Sequence, residues 1–303
     1  MKVSILILIL LFSVNACKQK GFELPVNNAI ELKAPPNIIL LYVDDLGYAD
    51  VGCYGAKGVN TPNIDAMAAN GVRFTDAHSA TATCTPSRYS LLTGNYAFRK
   101  KAKVLKGDAP LLIDTVSITL PKMLKKAGYT TAVIGKWHLG LGDGYVDWNK
   151  KINPGPKQIG FDYSFLLPAT GDRVPTVYME NGEVIGKSIE DPILVNYDKK
   201  VGNRPTGDQN PEQLRFKADP QHSNTIINGV SRIGYMQGGK AAEWVDEDIP
   251  YKLTLKATKF IQNNRKNLSF YIIPFTIFMC QDYHIKNLKE KVLWGLEVML
   301  LLK

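Results

Sequence analysis

Residues Asn37 to Val43 (NIILLYV) form a continuous apolar, β-rich run with no polar alternation. Such a run reads as a strand buried on both faces, the pattern of a parallel sheet. Parallel strands need crossover connections, and the chain supplies one: Ser117 to Ala127 reads as an amphipathic helix stopped by Gly128, followed by a second buried strand from Tyr129 to Ile134. The fold class is therefore α/β. Ligands of open α/β sheets sit at the carboxyl ends of the strands. The first strand ends there in Asp44-Asp45-Leu46-Gly47, the second in Gly135-Lys136-Trp137-His138-Leu139-Gly140.

Two adjacent carboxylates at a strand end suit a hard cation such as calcium, which takes oxygen ligands. They serve equally well as a turn cap at Asp44 beside a solvated Asp45. Between the strands lies Cys84-Thr85-Pro86-Ser87-Arg88, just before an apolar helical pattern. No Cys-His signature of a thiol hydrolase accompanies it. C-x-P-S-R resembles the motif in which type I sulfatases oxidise the cysteine to formylglycine. V-D-D-L-G-Y, G-C-Y-G, T-P-N-I-D and G-K-W-H-L-G stand around it in the order usual for that family. Thr61-Pro62 and the following NIDAMAANG read as a capped helix ending at Gly71.

The resemblance covers about residues 36 to 265 and implies an alkaline-phosphatase-like α/β sandwich with a central, mostly parallel sheet. It also implies a site. Asp44, Asp45 and the modified Cys84 hold calcium with two further ligands later in the chain. The hydrated aldehyde attacks sulfur, Arg88 pairs with it, Lys136 holds a sulfate oxygen as a compact cation, and His138 orients the hydrate. The sulfated enzyme then expels sulfate as its second hydroxyl loses a proton, a step a serine cannot perform. The implied partners are a sulfated carbohydrate or aryl sulfate and a formylglycine-generating or sulfatase-maturating enzyme. Relatives with the same motif hydrolyse phosphonates or phosphodiesters, which is a second reading. A non-catalytic lipoprotein that binds sulfated glycan is a third.

The chain has 303 residues and a net charge of +9, with its lysines spread rather than blocked. That balance suits an anionic substrate and also an ordinary basic surface. No Lys/Arg tract is interleaved with aromatics, so nucleic acid is not an expected partner. Lys2 precedes an apolar run from Ser4 to Val14, too short to span a bilayer, which reads as a signal peptide. Val14-Asn15-Ala16-Cys17 resembles a bacterial lipobox. Residues 1–17 are then a signal segment with lipid on Cys17 as membrane anchor, and residues 18–35 a tether. An ordinary signal peptide cut near Ala16 is the alternative. Either way the protein is exported, as a periplasmic or outer-membrane lipoprotein in the first reading. Cys53 and Cys280 are not expected to form a structural disulfide.

Further along, Gly160-Phe161-Asp162 reads as a turn into another strand, and Val174 to Ile185 as a hairpin about Asn181-Gly182. The polar stretch from Asn196 to Asp219 is expected over the site entrance. His222 and Arg232 read as surface groups or as sugar contacts. Tyr251 to Asn264 reads as an amphipathic helix, closing a catalytic region of residues 36–267. Residues 268–303 then depart from the family. Back-translated with A/T-rich codons and read one base earlier, they give a P-F-F-L-Y strand and an H-D-I-H-V-P-R motif, so they are expected to be an out-of-frame tail without function. The fold would then be incomplete at its C-terminus, with an exposed sheet edge, and the product inactive.

Overall fold

The computed structural model describes residues 35–265 and, as backbone, residues 269–276. The expected signal segment, Cys17 with its expected lipid, the expected tether through residue 34, and Cys280 lie outside the described residues. Ten strands form: β1 Ile38–Asp44, β2 Thr130–Lys136, β3 Tyr163–Leu167, β4 Met179–Glu180, β5 Glu183–Val184, β6 Leu194–Asn196, β7 Ile226–Ile227, β8 Val230–Ser231, β9 Tyr235–Gln237 and β10 Ser269–Thr276. The α-helices are α1 Pro62–Asn70, α2 Cys84–Thr93, α3 Leu120–Lys126 and α4 Ile249–Asn263. The main sheet runs β1-β10-β2-β3-β4-β5. β1, β10, β2 and β3 pair in parallel, and β3, β4 and β5 antiparallel. Two small ribbons, β6-β9 and β7-β8, lie apart.

Alternation along the strands feeds two cores. Leu40, Tyr42, Val133 and Leu166 join one cluster with Tyr89 and Leu92 of α2 and Leu120 and Leu124 of α3. Leu41, Val43, Ala132, Ile134, Phe165 and Leu167 join the other with Leu253, Ala257 and Phe260 of α4. Successive side chains of a strand point to opposite faces, so a run apolar at every position requires cover on both. Helices supply it on each side of β2, which is buried. β1, at the sheet edge, is only half-buried and leaves Ile39 exposed, so the expectation of burial on both faces holds for β2 and not for β1. In α4 the buried residues Ile249, Leu253, Ala257 and Phe260 recur every three or four positions, one stripe of a 3.6-residue helix.

Local chemistry sets the element ends. The expected helix from Ser117 begins only at Leu120, because the Thr119 side chain caps it by accepting from the Lys122 amide. The expected hairpin shortens to β4 and β5. Its turn residues have φ 51° at Asn181 and 89° at Gly182, as a two-residue primed turn requires.

One expectation is corrected, and two further segments find their places. Arg232 is neither a surface group nor a sugar contact: it is fully buried and ion-paired with Asp246 at 2.5 Å. The stretch from 196 to 219 is docked in part on residues 223–247, while Tyr197 donates to the Val174 carbonyl, Asp198 pairs with Lys106 and Asp219 holds His222. Gly207 donates to the Asn224 carbonyl, Arg215 pairs with Glu247, and Arg204 with Glu243. Finally, Ser269–Thr276 are drawn into the centre of the sheet, pairing with β1 from Ile38↔Phe270 to Asp44↔Thr276 and with β2 from Thr130↔Ser269 to Val133↔Ile272. Ladder hydrogen bonds come from the backbone, so a β-rich run such as SFYIIPFT can fill the gap whatever its ancestry. Pro274 is foreign to such a place, since it has no N–H to give to the ladder.

Candidate active site

The site is assembled where β1 and β2 end. The two strands flank β10, so they stand about 10 Å apart, two strand spacings. A lysine stem bridges that gap: Lys136, the last residue of β2, is completely buried and its Nζ is ion-paired with Asp44, the last residue of β1. The same Nζ lies 3.2 Å from Cys84 Sγ. Cys84 opens α2, so its sulfur sits at the positive end of a ten-residue helix as well as beside an ammonium. Cys84 and Cys53 are both free thiols.

Arg88, one turn into α2, points back to the same place. Its Nη1 donates to the Lys136 carbonyl at 2.8 Å, and its Nη2 meets Asp44 Oδ1 at 3.2 Å. Its guanidinium stacks over the Tyr42 ring at 5.3 Å, and the Tyr42 hydroxyl is hydrogen-bonded to Ser87. Burial pushes the Asp44 carboxyl up, but Lys136 and then Arg88 outweigh it and hold it below the ordinary range. Asp45 follows in a left-handed backbone conformation, φ 55°. Burial and then the Asp44 charge push its carboxyl up.

His138 also has a left-handed backbone, φ 53°, a costly conformation for a non-glycine residue and a frequent mark of a functional position. Thr85 and Leu105 hold it. The Thr85 hydroxyl donates to the His138 carbonyl at 2.8 Å and accepts from the Leu105 amide at 3.3 Å. His138 Nε2 meets the Leu105 carbonyl at 2.9 Å, an atom that only accepts, so Nε2 carries the proton. Burial and then the Lys136 charge push the imidazole down to about 3. It is neutral near pH 7, with Nδ1 a bare acceptor. That Nδ1 and Arg88 Nε are buried with no hydrogen-bond partner among the described residues. Buried polar atoms are rarely left so, and the His138 acceptor and the Arg88 donor each have capacity for a further hydrogen bond.

The structure thus brings Asp44, Cys84, Arg88 and Lys136 together, with Asp45 beside Asp44 and His138 held behind Thr85. Among the described residues no group of three or more His, Cys, Asp or Glu converges on one point, so the expected trio of Asp44, Asp45 and Cys84 is not a closed metal cluster. Two adjacent carboxylates, one raised by burial and then by the other's charge, do fit part of a calcium shell. Calcium takes six to eight oxygens, so further ligands are required.

Thr85, Leu105 and Tyr42 were not anticipated; nothing in their residue types marks them. Asp172 and Arg173 were also missed, although they follow the carboxyl end of β3, where the rule of strand ends applies. The Trp137 and His138 amides donate to the Leu167 and Pro168 carbonyls at 2.9 and 3.1 Å, which places that segment against the site.

The Sulfatase family model matches residues 36–182. The N-acetylgalactosamine-6-O-sulfatase of Bacteroides thetaiotaomicron is 51% identical over 253 residues, covering 82% of this chain and 48% of that one. Human arylsulfatase A is 45% identical over 114 residues, 36% of this chain and 22% of its own length. A solved structure from the Bacteroides thetaiotaomicron locus for metabolism of multiple glycosaminoglycans superposes with a TM-score of 0.81 at 46% identity, covering 88% of this chain and 57% of that one. The chain therefore spans about half the length, or less, of these relatives. The likeness in fold makes the sheet and its helical layers those of the alkaline-phosphatase-like sandwich. The motif residues converge at one end of that sheet, and sequence and fold agree on their ancestry: the chain belongs to the sulfatase family.

Proposed function

We propose that the protein hydrolyses sulfate esters of glycans, 6-O-sulfated N-acetylgalactosamine foremost, at a site built on Cys84 as the precursor of formylglycine. One observation carries the reading: Cys84 Sγ lies 3.2 Å from Lys136 Nζ at the start of α2. The substrate follows from the 51% identity to a sulfatase of that specificity. Formylglycine, once hydrated, would supply a hydroxyl as nucleophile toward sulfur, and calcium would supply a positive charge beside it. The chain's own residues do the rest. Asp44 and Asp45 offer carboxylate oxygens to the cation. Lys136 and Arg88 place two buried positive charges where sulfate oxygens arrive, a preorganised stabilisation of developing charge. Neutral His138 offers Nδ1 to a hydroxyl proton and so fixes the direction of attack.

The reading requires a maturation enzyme acting on Cys84 before or during folding, since the residue ends half-buried. It includes export, with lipid on Cys17 as anchor, and an out-of-frame origin for residues 268–303. An independent nucleotide sequence across codon 266 checks that last point: a one-base change opening the H-D-I-H-V-P-R frame is expected, and an unbroken 303-residue frame with no such continuation refutes it.

The functional test is coexpression with a maturase. The mass of the Cys84 peptide is expected to fall from that of a thiol to that of an aldehyde. With the H-D-I-H-V-P-R frame restored, sulfate release from 6-O-sulfated N-acetylgalactosamine is expected to need calcium and to exceed phosphate release from an aryl phosphate, whereas the 303-residue product is expected to release none. Faster release from the phosphate ester would make the protein a phosphoester hydrolase of the same fold. Unmodified Cys84 with retained glycan binding would make it a binding protein.

A further inference from the structure

The lysines are spread along most of the chain, with one local concentration. Arg99, Lys100, Lys101, Lys103 and Lys106 stand together with no acidic residue among them, and all are exposed. Lys106 pairs with Asp198, whereas Arg99, Lys100, Lys101 and Lys103 have no ion-pair partner among the described residues. The segment is nonetheless held in shape. Ala97 is buried, and its amide donates to the Ser90 hydroxyl of α2 at 3.2 Å. The Lys101 amide donates to the Phe98 carbonyl at 2.9 Å and the Ala102 amide to the Ala97 carbonyl at 3.1 Å, closing a turn with Lys101 at φ 50°. Just ahead of the cations, Tyr96 and Phe98 are 55% and 69% exposed and stack on each other, with ring centroids 5.6 Å apart. A fixed pair of aromatic rings kept in water marks a surface that takes a partner.

The strip leads to the catalytic cluster. Leu105, between Lys103 and Lys106, accepts from His138 Nε2 at 2.9 Å through its carbonyl and donates to Thr85 Oγ1 at 3.3 Å through its amide. Lys103 is two residues from that anchor, within roughly 7 Å along the chain, and Arg99 is six residues away, within roughly 20 Å. The chemistry of the strip selects the ligand. A row of cations favours anionic groups repeated at intervals, and exposed aromatic rings favour the apolar C–H face of a sugar. A chain of sulfated or carboxylated sugars offers both, and a single sulfated sugar at Lys136 and Cys84 leaves the strip empty.

We propose that Tyr96, Phe98 and the cations from Arg99 to Lys103 form a docking strip for the anionic glycan chain that carries the scissile sulfate, so that the protein binds longer chains more tightly than single sugars. This rests on the sulfatase reading.

The test is equilibrium binding to the full chain with unmodified Cys84, so that turnover does not intervene. The ligands are 6-O-sulfated N-acetylgalactosamine and an octasaccharide of chondroitin 6-sulfate, a polymer of the same sulfated sugar and a uronic acid, each at low and at high salt. Wild type is expected to bind the octasaccharide about tenfold or more tighter than the monosaccharide at low salt, and to lose most of that gain at high salt because exposed charges are screened. Lys100→Gln combined with Lys103→Gln should weaken the octasaccharide by about tenfold and leave the monosaccharide unchanged. Lys252→Gln combined with Lys259→Gln removes as much charge from α4, on the other face of the sheet, and should change neither. Phe98→Ser should weaken the octasaccharide and leave its salt dependence as it is. Equal losses from the two lysine pairs would mean that net charge alone attracts the glycan and would overturn the proposal, as would no gain from chain length. Binding of phosphatidylglycerol vesicles through Lys100 and Lys103, undiminished by the octasaccharide, would also overturn it and give the strip to a membrane. The sulfatase reading survives each of these results. Octasaccharide binding that depends on Lys100 and Lys103, with no binding of the monosaccharide, would instead uphold the strip and count against that reading.

Discussion

His138 shows how a single side chain reports its surroundings. Its imidazole is buried, sits beside the Lys136 ammonium, and has a pKa near 3 against an ordinary 6.5. Between those values the unfolded chain binds a proton that the folded chain refuses. Stability therefore rises with pH across that window and is lost as pH falls through it, by roughly 1 kcal/mol per pH unit. His138→Gln keeps a donor for the Leu105 carbonyl and removes the titration. Urea denaturation at pH 4 and pH 7 is expected to show a smaller acid loss in that variant than in wild type; an unchanged difference would place the acid sensitivity elsewhere. The motif residues were legible because their types and order are distinctive. Thr85 and Leu105 were not, because a threonine and a backbone carbonyl acquire a role only by being brought to His138.

At the scale of elements, two joints outside the sheet carry testable weight. Arg232 and Asp246 are both buried, and Asp246 also accepts from the Trp244 indole at 2.9 Å. Arg232→Ala leaves Asp246 charged and buried, which costs about 3–5 kcal/mol, measured as the shift in a urea midpoint. A change below 1 kcal/mol would mean that water reaches the pair. The second joint is His222 on Asp172. The hydrogen bond to Asp172 and that to Asp219 raise the His222 imidazole above 6.5 against the effect of burial. Its contribution is complete below the ordinary histidine value and is lost as pH rises through the raised one. Hydrogen exchange in residues 219–223 should accelerate over that rise, and His222→Gln should abolish the dependence.

At the scale of the whole molecule, the arrangement of the site depends on which strand lies between β1 and β2. With β10 there, Asp44 and Lys136 face each other across a filled sheet. Hydrogen-exchange mass spectrometry should find residues 38–44 and 269–276 about as slow as 130–136. Fast exchange in the first two with slow exchange in the third would show that Ser269–Thr276 stay out of the sheet. By itself the sequence determined the class of fold, the two parallel strands and the residues at their ends, because an unbroken apolar run admits few environments and a rare motif few chemistries. Only the tertiary structure decided that Arg232 is a core ion pair, that the segment after Asn196 leans on residues 223–247, and that Asp172 and His222, 50 positions apart, meet at 3.2 Å beside the site. Those outcomes depend on which distant segment fills each space, and the pattern of one strand or helix carries no record of its partner.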